Sequence, residues 1–184
     1  MTIKIVMCHA APTGHYVVNG PIGRWWLEWC DRGLMAVSYT DACPRGDVLP
    51  EWLSSAWDSF WNGRDYDLTL VTPRPVSPFF EKVYKQLSRV LQGDTLSYGK
   101  MAELCGSPGA ARAVGQAMRL NPWPLFLPCH RIIGSTGALV GYVGKKHLAI
   151  KEQLLEYEHS MRGFGATLGG KLGGALDTLN ALRK

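Results

Sequence analysis

Several things are scarce in this chain, and each absence narrows what it does. No stretch approaches the roughly 18 consecutive apolar residues that a membrane helix needs, and the opening MTIKIVMCHAAP has neither a long apolar core nor a small-residue cleavage site, so no secretory signal is expected. The five cysteines are odd in number, scattered and free of any CxxC pair, which argues against a disulfide framework or a clustered zinc site and for a reducing intracellular compartment. Charged residues make up only 19%, too few for a disordered charged tail. The balance that remains is basic, with 20 Lys and Arg against 15 Asp and Glu and a pI near 9.0. A basic surplus suits a polyanionic partner without requiring one.

What is present divides the 184 residues into three stretches. Residues 1–72 read as a small mixed α/β domain. Two apolar runs, Gly23 to Cys30 and Leu34 to Tyr39, flank Asp31-Arg32-Gly33 as a hairpin, and Leu53, Trp57, Phe60 and Trp61 recur at helical spacing up to Asn62-Gly63. Six of the seven tryptophans fall in this stretch, which reads as an aromatic core rather than a binding surface. The TPRPVSP segment is an extended linker into residues 73–160, which turn mainly helical. Ser77 and Pro78 open a helix with Phe80, Val83, Tyr84, Leu87 and Leu91 on one face, ended by Gly93. Ser97 caps a second helix carrying Tyr98, Met101, Ala102 and Cys105. A Gly106-Ser107-Pro108-Gly109 turn follows, then a third helix from Ala110 to Leu120, and the pair has the pattern of a helix-turn-helix. Residues 161–184 are Gly-rich and end in a short amphipathic stretch, read as a surface appendage.

The third helix sets Ala110, Ala113, Val114 and Ala117 on one face and Arg112, Gly115, Gln116 and Arg119 on the other. Arg and Gln are residues that bond bases or phosphates, and a glycine lets a backbone approach closely; an ordinary solvated face has the same composition, and both readings stay open here. Beyond Asn121 the segment PWPLFLPCHRII holds three prolines in seven residues, and it is expected to be extended and rigid, delivering Cys129-His130. A thiolate needs a base, and an imidazole serves directly or through water. Neighbours in an extended chain point apart, so direct contact requires a turn at Pro128-Cys129. The bare dipeptide by itself fits a buried structural cysteine better. A last helix, about Leu148 to Glu158, places Ile150, Leu154, Tyr157 and Glu158 on one face, and Glu158 at the edge of an apolar stripe suits a His partner, giving Cys129–His130–Glu158. A solvated helix-end Glu is the alternative.

Residues Ser97 to Glu158, through SYGKMAELCGSPGAARAVGQAMRLNPWPLFLPCHRIIGSTGALVGY and KEQLLEYE, resemble the O6-alkylguanine-DNA alkyltransferases throughout. The PCHR box after an ARAVG…NP helix and hinge is specific to that family. The likeness continues more weakly through SPFFEKVYKQLSRVLQGDTLSYG and faintly at GPIGRWWLEWCDRGL. It implies an α/β (α+β) protein, a small mixed N-terminal domain before a mainly helical one with the helix-turn-helix and the active cysteine. It further implies a protein expected to act once on double-stranded DNA containing O6-alkylguanine, and also O4-alkylthymine, as a monomer without cofactor. The compartment expected from the resemblance is the cytoplasm, at the nucleoid in a prokaryote, or the nucleus in a eukaryote.

By resemblance Cys129 accepts the alkyl group, and His130, a water and Glu158 deprotonate it. Tyr98 crowds the target phosphate and donates a proton to guanine N3. Arg112 fills the space the base vacates, within a DNA-facing set that includes Ala111, Gly115, Gln116 and Arg119, and the helix lies in the minor groove. Asn121 is the hinge. Met118, Pro124, Val140, Tyr142 and Val143 line the base pocket.

The chain departs from the family in three places. The loop after Tyr142 is about two residues longer, and Val143 replaces a small polar residue. Val140 stands where some members carry glycine, which predicts poorer tolerance of a benzyl than of a methyl adduct. Zinc-binding members have positions matched by Cys8 and Cys30, but Met35 stands where a His is expected, so no metal is expected. Two rivals are a non-catalytic alkyltransferase-like damage sensor, which lacks the cysteine, and a cysteine hydrolase, for which the DNA-facing helix has no purpose.

Overall fold

A computed structural model describes residues 2–140 and 148–165. The chain packs as two compact units. The first joins Met1–Glu81 to a returning segment, Asn121–Leu127, and the second joins Lys82–Leu120 to the chain from Pro128 onward.

The first unit is built on a five-stranded sheet ordered β1-β5-β4-β3-β2. Its strands are β1 (Thr2–Met7), β2 (Gly14–Gly20), β3 (Gly23–Cys30), β4 (Gly33–Thr40) and β5 (Asp67–Thr72). β2, β3 and β4 form an antiparallel meander, while β5 runs parallel to both β4 and β1. The β3–β4 hairpin turns on Asp31-Arg32, with Cys30 paired to Gly33. Gly33 has φ 142°, and a Cβ there would sit 2.3 Å from the Thr69 carbonyl oxygen, so the turn admits no side chain. Helix α1 (Glu51–Trp61) makes the crossover from β4 to β5 and buries Leu53, Ala56, Trp57, Phe60 and Trp61. Along β3, Trp25, Leu27 and Trp29 alternate inward. Four of the six tryptophans in this region, Trp25, Trp29, Trp57 and Trp61, are core residues, whereas Trp52 is exposed.

The three-proline segment is not extended. Between Asn121 and Leu127 it closes into a turn in which the Leu127 N–H donates to the Trp123 carbonyl at 2.9 Å and Leu125 adopts φ 77°. Proline fixes its own φ and restricts the residue before it, which leaves Leu125 and Phe126 free to turn, and Leu125 does so. Asn121 locks the turn from inside: its Nδ2 donates to the Leu127 carbonyl at 2.8 Å and its Oδ1 accepts from the Trp123 N–H at 3.0 Å. The segment is knitted into the first unit by Trp123 Nε1 donating to the Leu34 carbonyl and by Phe126, whose ring meets Trp57, Phe60 and Tyr66 edge-on. Trp123, Leu125, Phe126 and Leu127 are wholly buried. A left-handed non-glycine residue costs about 1–3 kcal/mol, which burial of the Leu125 side chain offsets at about 1.5–3 kcal/mol.

The second unit opens within α2 (Pro78–Leu87), whose first turn is capped by Ser77 Oγ accepting from the Phe80 N–H at 3.3 Å. This helix stops at Leu87, six residues before Gly93, and Leu91 is exposed while Val90 takes the inward position. The helical face anticipated through Leu91 therefore ends a turn early, in a series of reverse turns completed by Gly93 at φ 77°. Two short parallel strands, β6 (Leu96–Ser97) and β7 (Ile132–Ile133), pair. Helices α3 (Tyr98–Leu104) and α4 (Ala111–Arg119) form the helix-turn-helix, with Ser97 Oγ accepting from the Lys100 N–H as the cap of α3. The last helix, α5 (Leu148–Gly165), is longer than expected and runs past the anticipated boundary at residue 160. No helix among the described residues is long and apolar enough to cross a membrane.

Replacing Asn121 by Ala leaves a carbonyl and an N–H of the buried turn without partners and should lower stability by about 2–4 kcal/mol. Asn121→Asp retains the acceptor for Trp123 alone and should fall between. Urea unfolding followed by tryptophan fluorescence reads both; an unchanged midpoint for Asn121→Ala would remove the clamp from the account.

Candidate active site

Cys129 sits on a single 3₁₀ turn, Cys129–Arg131, between Pro128 and β7. This turn supplies the bend that an extended chain would lack. Cys129, His130 and Arg131 are all buried, at 4%, 0% and 6% exposure.

Glu158, on α5, is buried with them and is held from three sides. His130 Nε2 lies 2.8 Å from its Oε1, the Gly93 N–H donates to Oε2 at 3.0 Å, and Arg131 donates from Nε and Nη2 at 2.7–3.2 Å. The remaining Arg131 donor, Nη1, reaches the Val90 carbonyl. Burial alone would raise the Glu158 carboxyl, but His130 and Arg131 together hold it far below the usual carboxylate range. Burial is the largest influence on His130 and keeps its imidazole neutral, with Arg131 and Lys151 pushing the same way against the pull of Glu158. A neutral ring facing a carboxylate through Nε2 carries its proton there, and Nδ1 becomes the basic nitrogen. The family resemblance, not the spacing alone, anticipated Glu158. It did not single out Arg131, although PCHR contains it and a buried carboxylate facing a neutral imidazole requires a cation.

Lys151, one helical face upstream on α5, was also passed over. It is fully buried, and its Nζ donates to the Ile132 carbonyl at 2.5 Å and lies 3.5 Å from the Val140 carbonyl oxygen. Tyr98 donates its hydroxyl to the same Val140 oxygen at 3.0 Å, and Lys151 Nζ stands 6.0 Å from the centre of the Tyr98 ring. Burial pulls the Lys151 ammonium down to about 8, and Cys129 works against that pull. Burial, then Cys129, push the Tyr98 phenol up and the Tyr84 phenol up to about 12. Tyr84 donates to the Ala117 carbonyl of α4 at 3.1 Å.

Arg112, Gln116 and Arg119 are exposed along α4, opposite buried Val114 and Ala117. Ala111 and Gly115 are half-buried; a Cβ on Gly115 would meet Tyr98 Cε1 at 3.9 Å. Arg119 Nε donates to Gln116 Oε1 at 3.0 Å. Met118 is buried on the inner side of the helix. Asn121 and Pro124 belong to the turn in the first unit. Val140 is half exposed and engages its neighbours through its carbonyl. Tyr142, Val143 and the 143–147 loop lie outside the described residues, as does the chain beyond residue 165.

In the first unit Cys30, Met35 and Val71 form one apolar cluster with Val6, Cys8 and Ala10 against it. Two thiols and a thioether in an apolar cluster do not make the four-donor nitrogen and sulfur set of structural zinc. No trio of His, Cys, Asp or Glu gathers among the described residues. The residues do not fit that metal.

The Glu158 linkage has a definite sign. Its native value lies below the unfolded one of about 4.3, so its contribution is full above about pH 4.3 and is lost as pH falls through the native value. His130, also depressed, adds a loss that starts nearer pH 6.5. Glu158→Gln should cost about 3–5 kcal/mol at neutral pH, because Arg131 is left buried without its anion. It should also flatten the acid dependence of stability below pH 5. Urea midpoints of the two proteins between pH 3 and 7 test this, and parallel curves would refute it.

Residues 78–160 match the family model described as 6-O-methylguanine DNA methyltransferase, DNA binding domain. A methylated-DNA–protein-cysteine methyltransferase of Mus musculus is 34% identical over 189 residues, covering 89% of each chain. The constitutive one of Bacillus subtilis (strain 168) is 42% identical over 99 residues, 54% of this chain and 59% of its own. Among solved structures, an OGT of Mycobacterium tuberculosis in complex with DNA superposes with a TM-score of 0.65 at 30% identity, covering 80% of this chain and 93% of that one. Sequence and fold together make this chain a member of the methylated-DNA–protein-cysteine methyltransferase family.

Proposed function

We propose that the chain repairs duplex DNA by rotating O6-alkylguanine, and also O4-alkylthymine, out of the helix and taking the alkyl group irreversibly onto Cys129. The observation that carries this reading is the buried 2.8 Å contact of His130 with Glu158, on the turn that bears Cys129, in the same unit as the helix-turn-helix.

His130 Nδ1 takes the Cys129 proton, directly or through a water, and Glu158 stabilises the imidazolium that results. The Cys129 sulfur then attacks the alkyl carbon. The S–C bond forms as the C–O6 bond breaks, the electron pair passes into the purine, and N3 receives a proton from Tyr98. The thioether has no leaving path, so each molecule acts once. Tyr98 is positioned for this by α3, and its phenol, raised by burial, stays protonated until the purine becomes basic.

Alkylated guanine reacts only once out of the stack, at a cost of a few kcal/mol. Arg112 fills the vacated space, and Arg119 with Gln116, Ala111 and Gly115 lies along the backbone and minor groove. Ala110, the N-cap of α4, supplies no side-chain cap, which suits the N–H groups of that first turn to a phosphate. Asn121 holds the turn leading into Pro128-Cys129. Met118 and Val140, both in the second unit, are proposed to line the base pocket. The work takes place in whichever compartment holds the DNA.

Intact-protein mass spectrometry after incubation with O6-methylguanine duplex should show one added methyl, mapped to Cys129 and never exceeding one per molecule. Cys129→Ser should bind the same duplex and gain nothing, since a hydroxyl is scarcely ionised by an imidazole. Binding without transfer by the wild type would favour a damage sensor, and methyl on Cys105 would move the site.

Arg112→Ala should slow repair in duplex while leaving reaction with free O6-alkylguanine base largely intact. Arg119→Ala should weaken binding to all duplexes and reduce the salt slope by about one. Equal losses on free base and duplex would place Arg112 in the fold rather than at DNA.

A further inference from the structure

We infer that Lys151 is a positioning residue for the transfer, its ammonium steadying the Tyr98 hydroxyl through a shared carbonyl and facing the Cys129 thiolate. The inference rests on the alkyl-transfer reading above.

A fully buried lysine with no carboxylate among its hydrogen-bond partners is costly to keep, because an ammonium removed from water must be compensated. Here two main-chain carbonyls, Ile132 and Val140, take its protons. Its second compensation is the face of Tyr98, 6.0 Å away. Neither arrangement serves the stability of α5 better than an apolar residue would. Both put a fixed positive charge at the reacting centre.

The shared acceptor gives that charge a task. The Tyr98 hydroxyl rests on the Val140 oxygen at 3.0 Å, with Lys151 Nζ 3.5 Å from the same atom. A hydroxyl that turns to a purine N3 must leave that oxygen, and Lys151 is already in place to satisfy it. The tyrosinate formed on proton donation then finds an ammonium beside it. Lys151 itself transfers no proton and remains an ammonium throughout.

The thiol side follows by reciprocity. Ionised Cys129 favours charged Lys151, so charged Lys151 favours ionised Cys129 by the same amount. Among the described residues, the titratable groups that face Lys151 are Cys129 and His130 on the 3₁₀ turn and Tyr98 on α3. Glu158 lies two turns further along the same helix and is already occupied by His130 and Arg131.

The test uses the full chain in single-turnover methyl transfer at saturating O6-methylguanine duplex, from pH 5.5 to 10. Lys151→Met should be about tenfold slower at neutral pH, and the pH at which Cys129 becomes reactive to iodoacetamide should rise by about one unit. Lys151→Arg should stay within about threefold of the wild type. In a Tyr98→Phe background the Lys151→Met loss should shrink, because part of it acts through the hydroxyl. The wild-type rate should itself fall above about pH 8, as the ammonium present below that value is lost; this arm stands even if Lys151→Met does not fold.

A folded Lys151→Met with wild-type rate and an unmoved thiol profile overturns the inference. So does a loss of the same size in the Tyr98→Phe background with no change in the thiol, or a wild-type rate that holds level to pH 10. Absence of methyl on Cys129 in the wild type would instead overturn the transfer reading itself.

Discussion

One carboxylate organises the second unit. Glu158 receives a main-chain N–H from Gly93, an imidazole from His130 and a guanidinium from Arg131, and so draws together the loop after α2, the 3₁₀ turn and α5. Ionised and buried, it needs every one of those donors. Arg131 supplies the permanent positive charge that the carboxylate needs. Burial, with Arg131 and Lys151 pushing the same way, keeps the imidazole neutral and able to accept a proton.

Local elements were read well from the sequence because their signals are local. Ser97 before α3, Gly106 and Gly109 in the turn, and the two faces of α4 all follow from neighbours within a few positions. The hairpin at Asp31-Arg32 and the span of α1 were legible for the same reason. Long-range relations were less so. β1, β2 and β5 form a sheet whose order depends on pairing across the whole first unit, and none was assigned in advance. The prolines between Asn121 and Pro128 suggested extension, but the side chain of Asn121 and the burial of Phe126 impose a turn that no local propensity encodes.

Within the site, chemical type and spacing made Cys129, His130 and Glu158 candidates only, and the family resemblance singled them out; the structure brings His130 and Glu158 into contact. Arg131 and Lys151 were missed because Lys and Arg are presumed to face water. A positional clue existed. Lys151 stands between Ile150 and Leu154 on the apolar side of α5, where a solvated lysine has no place.

Lys151 and Glu158 are seven residues apart on one helix, so α5 carries a buried ammonium and a buried carboxylate of the site on a single face. Seven residues fall about 20° short of two full turns and advance about 10 Å. The helix therefore acts as a ruler with two marks. Most substitutions between the marks leave the spacing alone, whereas gaining or losing a single residue swings one mark by about 100°. An ammonium or a carboxylate would then point into solvent or into the apolar core. The exposed positions between 151 and 158 are thus open to changes of side chain while the segment is closed to changes of length, and that second restriction is invisible to any survey of substitutions alone.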